Sequence, residues 1–526
     1  MKRNIILFAV LLAVACGGVY FFYSAKIMQT DFASQSEVNS VVSNQDVAVA
    51  LAAKSVSNTY RGPLDDCLQN GFVYTRLGDM MADCTLNYVH FYPSPAAKTQ
   101  NMQKRKAGEL KIGSFNLFHL GDNQAPLKNL ALMANVINRW DIVGAQEFMP
   151  LPSDAALNNL SLMKLLQDES KKPIRFPYDD WHVVTPGYLK LLQELQKLDS
   201  SWALILQSSP AGEGSTGEMA GFFYRSSLVD LKEWDYCPAE RSADIKTNAP
   251  LKNYACLVQV PEQTQKLISR TAFAANFRSG QFDFVGLTAH IRFRPPDSEA
   301  DLRIQLDTIC SMHADLKKCN LPKDSIGRFY EVVAVVEQIS SIKEKAHDKD
   351  VIFMGDFNLE LQPKNVEYWK AALRKAPGFV ATQTELTTLS VPGNKLASNY
   401  DHFIFDPTET TECDARTAKS YNILLAAKVT QDPVLKKFAG FFKAGGQTAF
   451  AETVATDLEK MLKYQEKGDL FVRPLSDKEK KDYTDSMAES LKRMKVNDYA
   501  AEVELISDHL PIELSCRTNK ADKVRK

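Results

Sequence analysis

From Leu110 onward the apolar residues gather into short runs closed by turn-forming or polar residues: Leu110–Phe118, Ile142–Gln146, Ala220–Tyr224, Phe282–Ala289, Val351–Gly355, Tyr400–Phe405 and Pro511–Leu514. Each has strand length and β-branched or aromatic content, which favours extended backbone. Between them the period becomes helical, over Asn129–Asn138, Leu302–Leu316 and Tyr330–Lys345. Strands interleaved with helices predict an α/β layered fold. Two longer stretches break this rhythm. Residues 151–210 are rich in Leu and Lys, and residues 414–500 mix charges with helical periodicity from Phe450 to Met461. Both are expected to be helical, with solvated amphipathic faces, the second as an inserted lobe.

The N-terminus has a different texture. Lys2 and Arg3 precede the nearly all-apolar run Ile5–Tyr23, whose 19 residues, at about 1.5 Å each, reach roughly 28 Å, close to a bilayer's hydrocarbon thickness. The basic pair would stay cytoplasmic and the rest of the chain would cross. Three fates fit: a signal anchor, cleavage after Ala13-Val14-Ala15, or a loose lipoprotein box with Cys16 lipidated. All three imply export, so the protein is expected either membrane-anchored and facing the periplasm or extracellular space, or secreted. Lys26 to about Tyr60 reads as a Ser-, Asn- and Gln-rich tether, residues 61–108 as a small extension stapled by cysteines, and residues 517–526 as a basic tail.

Eight cysteines remain beyond Cys16, an even count that suits disulfides in an exported chain. Clustering along the sequence suggests Cys67–Cys84, Cys237–Cys256, Cys310–Cys319 and Cys413–Cys516, although spacing alone does not choose among connectivities. No Cys/His cluster has zinc-site spacing. With 63 basic against 64 acidic residues the formal net charge is −1. No overall basic field marks a tight non-specific DNA binder, but an enzyme gripping a few phosphates remains compatible.

The chemistry-bearing side chains fall at the ends of the apolar runs. Asn116 lies within the first, Gln146-Glu147 ends the second, and Glu218 precedes the Phe222-Phe223-Tyr224-Arg225 run. Thr288-Ala289-His290 ends the fourth, Gly355-Asp356-Phe357-Asn358 the fifth, Tyr400-Asp401-His402 opens the sixth, and Ser507-Asp508-His509-Leu510-Pro511 precedes the last. Taken singly, a Gly-Asp-x-Asn segment is a common turn, and a strand-end His is commonly structural. The ordered set is more specific.

That ordered set resembles the endonuclease/exonuclease/phosphatase superfamily, and within it the deoxyribonuclease I branch, over about residues 110–516. The resemblance implies a four-layered α/β/β/α sandwich of two packed mixed sheets, here with an N-terminal membrane segment and a helical insertion at about 414–500 in a catalytic domain spanning 109–516. It implies a phosphodiesterase that uses Mg²⁺, with Mn²⁺ or Ca²⁺ as substitutes, and nucleic acid as the expected partner. Glu147 would be the principal metal ligand, assisted by Asn116 and Asp508. His290 and His509 would divide acid and base work, which sequence does not assign, backed by Glu218 and Asp401 respectively. Asp356 would align or deprotonate the water, and Asn358 and Arg225 would hold phosphate. Hard oxygen ligands, an activated water and a protonated leaving oxygen are what phosphodiester hydrolysis needs. Two positions depart from the branch: Met149 stands in place of an Arg, and Thr216 in place of a Tyr, that contact the minor groove, which weighs against duplex DNA. Arg292 and Arg294, just past His290, are further candidates to meet phosphate. A lipid-headgroup phosphodiesterase or phosphatase is the alternative, and a non-catalytic binding protein on the same fold the third.

Overall fold

The computed structural model describes residues 60–61, 67, 80–120, 128–152, 186–211, 217–238, 253–296, 298–312, 321–382, 385–428, 433–436 and 477–519. The expected membrane segment, most of the tether, Thr216 and the end of the basic tail lie outside these. Among the described residues no helix is long and apolar enough to cross a membrane.

All seven apolar runs are strands: β1 (Glu109–Leu120), β2 (Ile142–Phe148), β3 (Met219–Arg225), β4 (Phe282–His290), β5 (Val351–Asp356), β6 (Asp401–Phe405) and β7 (Ile512–Arg517). They fall in two mixed sheets. The first has eight strands in the order 419–420, β7, β1, β2, β3, 202–207, 88–93 and 80–84, with β1 and β2 parallel. The second has seven: 255–257, 273–279, β4, β5, β6 and 380–381 in order, with 230–231 also on 273–279, and β4 and β5 as its parallel pair.

Successive side chains on a strand point to opposite faces, and that period sorts the core into layers. In β5, Ile352 and Met354 join Ile112, Phe222, Phe284 and Phe403 between the two sheets, whereas Val351 and Phe353 join Val285, Leu287, Phe329 and Val333 under the helices. Burying each such side chain contributes roughly 1.5–3 kcal/mol. The sheets approach closely at Gly144, where a Cβ would lie 2.8 Å from Met354 Sδ. On the far side of the first sheet, α1 (Leu130–Ile137) and α2 (Gly187–Leu198) bury Leu132, Val136, Tyr188 and Leu192, and the Tyr188 ring meets Phe148 edge-on at 6.2 Å. Behind the second sheet lie α3 (Glu299–Ser311), α4 (Lys323–Val336) and α5 (Ile339–Ala346). The layers run helix, sheet, sheet, helix, as expected.

Local chemistry explains the helix ends and one correction. Asn129 caps α1 by accepting from Leu132 N at 3.0 Å. The single helix expected over Tyr330–Lys345 is two. From Ile326 to Val336, α4 is buried all round, while α5 buries only Ile339, Ile342 and Ala346. The chain turns at Glu337-Gln338 to leave the core for the surface.

Three further expectations change. Residues 80–84 and 88–93 are not part of a separate extension but the outer strands of the first sheet. The apolar Tyr88, Val89 and Phe91 need a sheet to bury against, and 202–207 supplies it. Residues 202–207, expected to be helical, are therefore strand. In the 414–500 stretch, helices 423–428, 433–436, α6 (Asp477–Met494) and α7 (Asp498–Leu505) are described, and 429–432 and 437–476 lie outside the described residues.

Cys67–Cys84, Cys237–Cys256 and Cys413–Cys516 are disulfides, in the expected pairs. Cys310 is also disulfide-bonded, and its expected partner Cys319 lies outside the described residues.

Candidate active site

Register brings the candidate residues, Arg225 excepted, to one edge of the two sheets. His290 and Asp356 are paired positions on the parallel strands β4 and β5, and Asp401 is opposite Asp356 on β6. In the other sheet Asn116 pairs with Gln146, which places Glu147 at the same end. Glu218 immediately precedes β3, and Asp508-His509 enter β7 there.

Asp356 is the common neighbour. Its Oδ2 lies 3.1 Å from Asn116 Nδ2, 3.5 Å from His290 Nε2 and 3.4 Å from His509 Nε2. Each imidazole has a carboxylate on its other nitrogen: His290 Nδ1 is 2.9 Å from Glu218 Oε1, and His509 Nδ1 is 2.8 Å from Asp401 Oδ2. Such a partner fixes the tautomer and raises the basicity of the ring. Asn116 Nδ2 also donates to Glu147 Oε1 at 2.9 Å, while its Oδ1 accepts Phe118 N–H at 2.9 Å. Asp356 Oδ1 accepts Asn358 N–H at 2.9 Å, and the Asn358 amide donates to Ile291 O at 2.9 Å while standing 3.3 Å from His290 Nε2. Ser507 ties the approach to β7 to β1 by donating to Asn116 O at 2.7 Å and accepting His509 N–H at 3.0 Å.

The backbone is strained here. Phe118, His119, Glu147 and Asn358 have φ of 45°, 56°, 60° and 52°, conformations that cost non-glycine residues of order 1–3 kcal/mol each and cluster at functional sites. At Gly355, φ is 146° and a Cβ would sit 1.9 Å from Ala289 O, so glycine is required where β4 and β5 close on the site.

The electrostatics separate the two histidines. Burial, aided by the Arg270 guanidinium, pushes His290 below its ordinary value, against the pull of Asp356 and Glu147. Burial also works against a charged His509, but Asp401, Asp356 and Asp508 overcome it and hold the ring well above its ordinary value. Burial would raise Glu147, yet His290, His119, the Asn116 amide and His509 bring it down to about 2. Asp508 goes the other way: burial, with the Glu147 and Asp356 carboxylates, raises it to about 6 despite His509 and Lys128.

The donor set fits a hard divalent cation. Glu147, Asp356 and Asp508 crowd like charges into one pocket, and Asp508 Oδ1 is shielded from solvent with no hydrogen bond among the described residues. Among the described residues two clusters are capable of holding a metal, Glu147-Glu218-His290 and Asp356-Asp401-His509.

Two expectations about phosphate contacts fail, those for Arg225 and Arg292. β3 runs antiparallel to β2, so Arg225 sits at the strand end away from Glu147, opposite Trp202 and beside Asp141. Its guanidinium is fully buried, pairs with Asp199, lies 3.6 Å from Asp141 Oδ1 and donates to Asn138 O at 2.9 Å. It is a structural arginine. Arg292 is likewise buried, donating to Arg294 O at 2.7 Å, while Arg294 is exposed. Met149 is buried and presents nothing to a groove.

Two site residues were not anticipated. Arg270 pairs with Glu218 and reaches 3.5 Å from His290 Nδ1. His119 donates its backbone N–H to Glu147 Oε2 at 2.9 Å, and its Nε2 lies 3.9 Å from the same oxygen. Arg270 opens the segment before a strand of the second sheet and carries no motif. His119 lies three residues past Asn116, a proximity the sequence did offer.

No family model and no curated relative matches the sequence. Solved structures do match. The chain is similar to endonuclease/exonuclease/phosphatase proteins. One, from Bacteroides thetaiotaomicron, is 15% identical over 58% of this chain and 84% of its own, with a TM-score of 0.30. A mannosyl-6-phosphatase from the same organism is 14% identical over 57% and 86%, also at 0.30. The human Nocturnin catalytic domain is 10% identical over 58% and 84%, at 0.28. At these values the likeness carries no argument about chemistry, which rests on the geometry above.

Proposed function

We propose that this protein is a divalent-metal-dependent phosphoester hydrolase acting on nucleic-acid phosphodiesters. The observation that carries the reading is Asp356 Oδ2 within 3.5 Å of both imidazole Nε2 atoms, each ring backed by its own buried or half-buried carboxylate. One water activated between two histidines, with an acid for the departing oxygen, is what such a pair supplies.

Mg²⁺, or Mn²⁺ or Ca²⁺ with the same preference for oxygen, would be held by Glu147, Asn116 and Asp508 and would neutralise and orient the phosphate. Asp356 and neutral His290 orient the water and take its proton as its oxygen bonds to phosphorus. His509, kept protonated by Asp401, gives its proton to the leaving oxygen as the P–O bond breaks. The Asn358 amide holds a phosphate oxygen beside His290. Arg270 opposes protonation of His290 and adds positive charge at the pocket. A catalytically quiet protein would have no reason to bring Glu147, His290, Asp356 and His509 together. The disulfides support an oxidising, exported setting, with the N-terminal segment as tether.

Burial of Met149 leaves the branch's groove contact missing, which is compatible with a second reading, a phosphodiesterase or phosphatase on lipid headgroups. Full-length protein purified in detergent, assayed with Mg²⁺ on plasmid, RNA, sphingomyelin and phosphoinositides, separates the two. Nucleic-acid cleavage lost in His290→Ala and His509→Ala supports the first. Turnover of lipid alone selects the second, and turnover of nothing leaves the quiet protein.

A further inference from the structure

We infer that Phe293 is a stacking platform for an unpaired base next to the scissile phosphate, which makes single-stranded nucleic acid the preferred substrate. The inference rests on the nuclease reading and narrows it.

Phe293 lies three residues past His290, so its backbone is within roughly 11 Å of that histidine. It is 59% exposed. Yet its mount is rigid. The buried Arg328 donates to Phe293 O from Nε at 3.2 Å and from Nη2 at 2.7 Å, and its guanidinium carbon lies 4.9 Å from the centre of the Phe293 ring. The same guanidinium donates from Nη1 to Asn358 O at 2.7 Å. One buried cation therefore ties the exposed ring to the residue whose amide stands 3.3 Å from His290 Nε2. The backbone of the loop is pinned again at Arg292, whose N–H reaches the fully buried Glu331 at 2.9 Å.

A ring fixed in place loses little entropy when a base stacks on it, and base–aromatic stacking does not depend on which base is present. Exposed Arg294 adds a cation for the adjoining phosphate. In a duplex the bases are already stacked and shielded, so the platform rewards only an unpaired strand. Burial of Met149, where a groove-reading arginine would stand, points the same way. A membrane-inserting role fits less well, because the next residue, Arg294, is an exposed cation.

The test compares full-length wild type, Phe293→Ala and Phe293→Trp on a single-stranded oligonucleotide, its duplex, and the same strand carrying one abasic nucleotide beside the cleavage site. Stacking predicts faster cleavage of the single strand and about a tenfold rise in KM for Phe293→Ala. It further predicts the same loss for wild type on the abasic strand, no additional loss for Phe293→Ala there, and recovery in Phe293→Trp. Equal effects of Phe293→Ala on intact and abasic strands overturn the inference and leave the nuclease reading standing. Absence of nucleic-acid cleavage by wild type removes both. Binding of wild type, but not Phe293→Ala, to phosphatidylcholine–phosphatidylserine vesicles, with cleavage unchanged, assigns the ring to a membrane instead.

Discussion

Replacing Asp401 by Asn removes one charge and almost no volume. Asp401 is fully buried and its Oδ2 lies 2.8 Å from His509 Nδ1. At an effective dielectric of about 20, the attraction between a carboxylate and an imidazolium at that separation is about 6 kcal/mol. Desolvation of the pair offsets part of this, and the Asn carbonyl still accepts from Nδ1–H, so the net loss expected is about 3–4 kcal/mol in the transition state. That is a fall in kcat of roughly 10²–10³. The sign of the pH effect follows from His509. Its proton affinity is raised in the folded protein, so the protonated acid, and the stability its ion pair contributes, are fully present below about pH 6.5 and lost as pH rises through the raised folded value. Asp401→Asn takes away the leading cause of that rise and moves the alkaline limb of the kcat profile downward. The acidic limb, set by His290, stays where it is. The assay is kcat between pH 5 and 10 at saturating Mg²⁺ and substrate, with thermal melting to confirm folding. An unmoved alkaline limb, or a loss below fivefold, would refute the assignment of His509 as the acid held by Asp401.

Three further outcomes are expected. Glu147→Gln abolishes turnover and also the rise in Tm that Mg²⁺ gives the wild type, which a melt with and without the ion reads directly. Arg225→Met lowers stability by about 3 kcal/mol in urea unfolding, because the buried Asp199 carboxylate is left without its cation, while KM stays within twofold; a selective KM increase would restore the phosphate role. Replacing Cys413 and Cys516 by Ala opens a loop of 103 residues and costs up to about 4.7 kcal/mol on the chain-entropy account, measured by urea midpoint with the m-value as a check on the unfolded state.

Most of the site was legible because its residues end strands that the hydrophobic pattern marks without ambiguity. Glu147, His290 and Asp356 each close an apolar run, and the parallel pairing of β4 and β5 sets the last two side by side. What failed depends on direction and depth, which a local pattern does not hold. Arg225 ends its run as plainly as His290 does, but β3 is antiparallel to β2, so the same reading points it away from the site. Strands 80–84 and 88–93 carry a cysteine and aromatics that suggested a stapled unit, and only the pairing with 202–207 shows them completing a sheet. Arg270 was invisible because it carries no motif of its own, and only the folding of the sheets sets it beside Glu218 and His290. The turn at Glu337-Gln338 came from a change in burial from all-round to one-sided, while the apolar period ran on unbroken.

The most direct measurement is the position of a bound ion. Crystals grown with Mn²⁺, with data collected at its absorption edge, should show an anomalous peak between the Glu147 carboxylate, Asn116 and Asp508, close enough to Asp356 to share a phosphate. A peak elsewhere, or no peak at Mn²⁺ concentrations that support turnover, would contradict the metal-centred account.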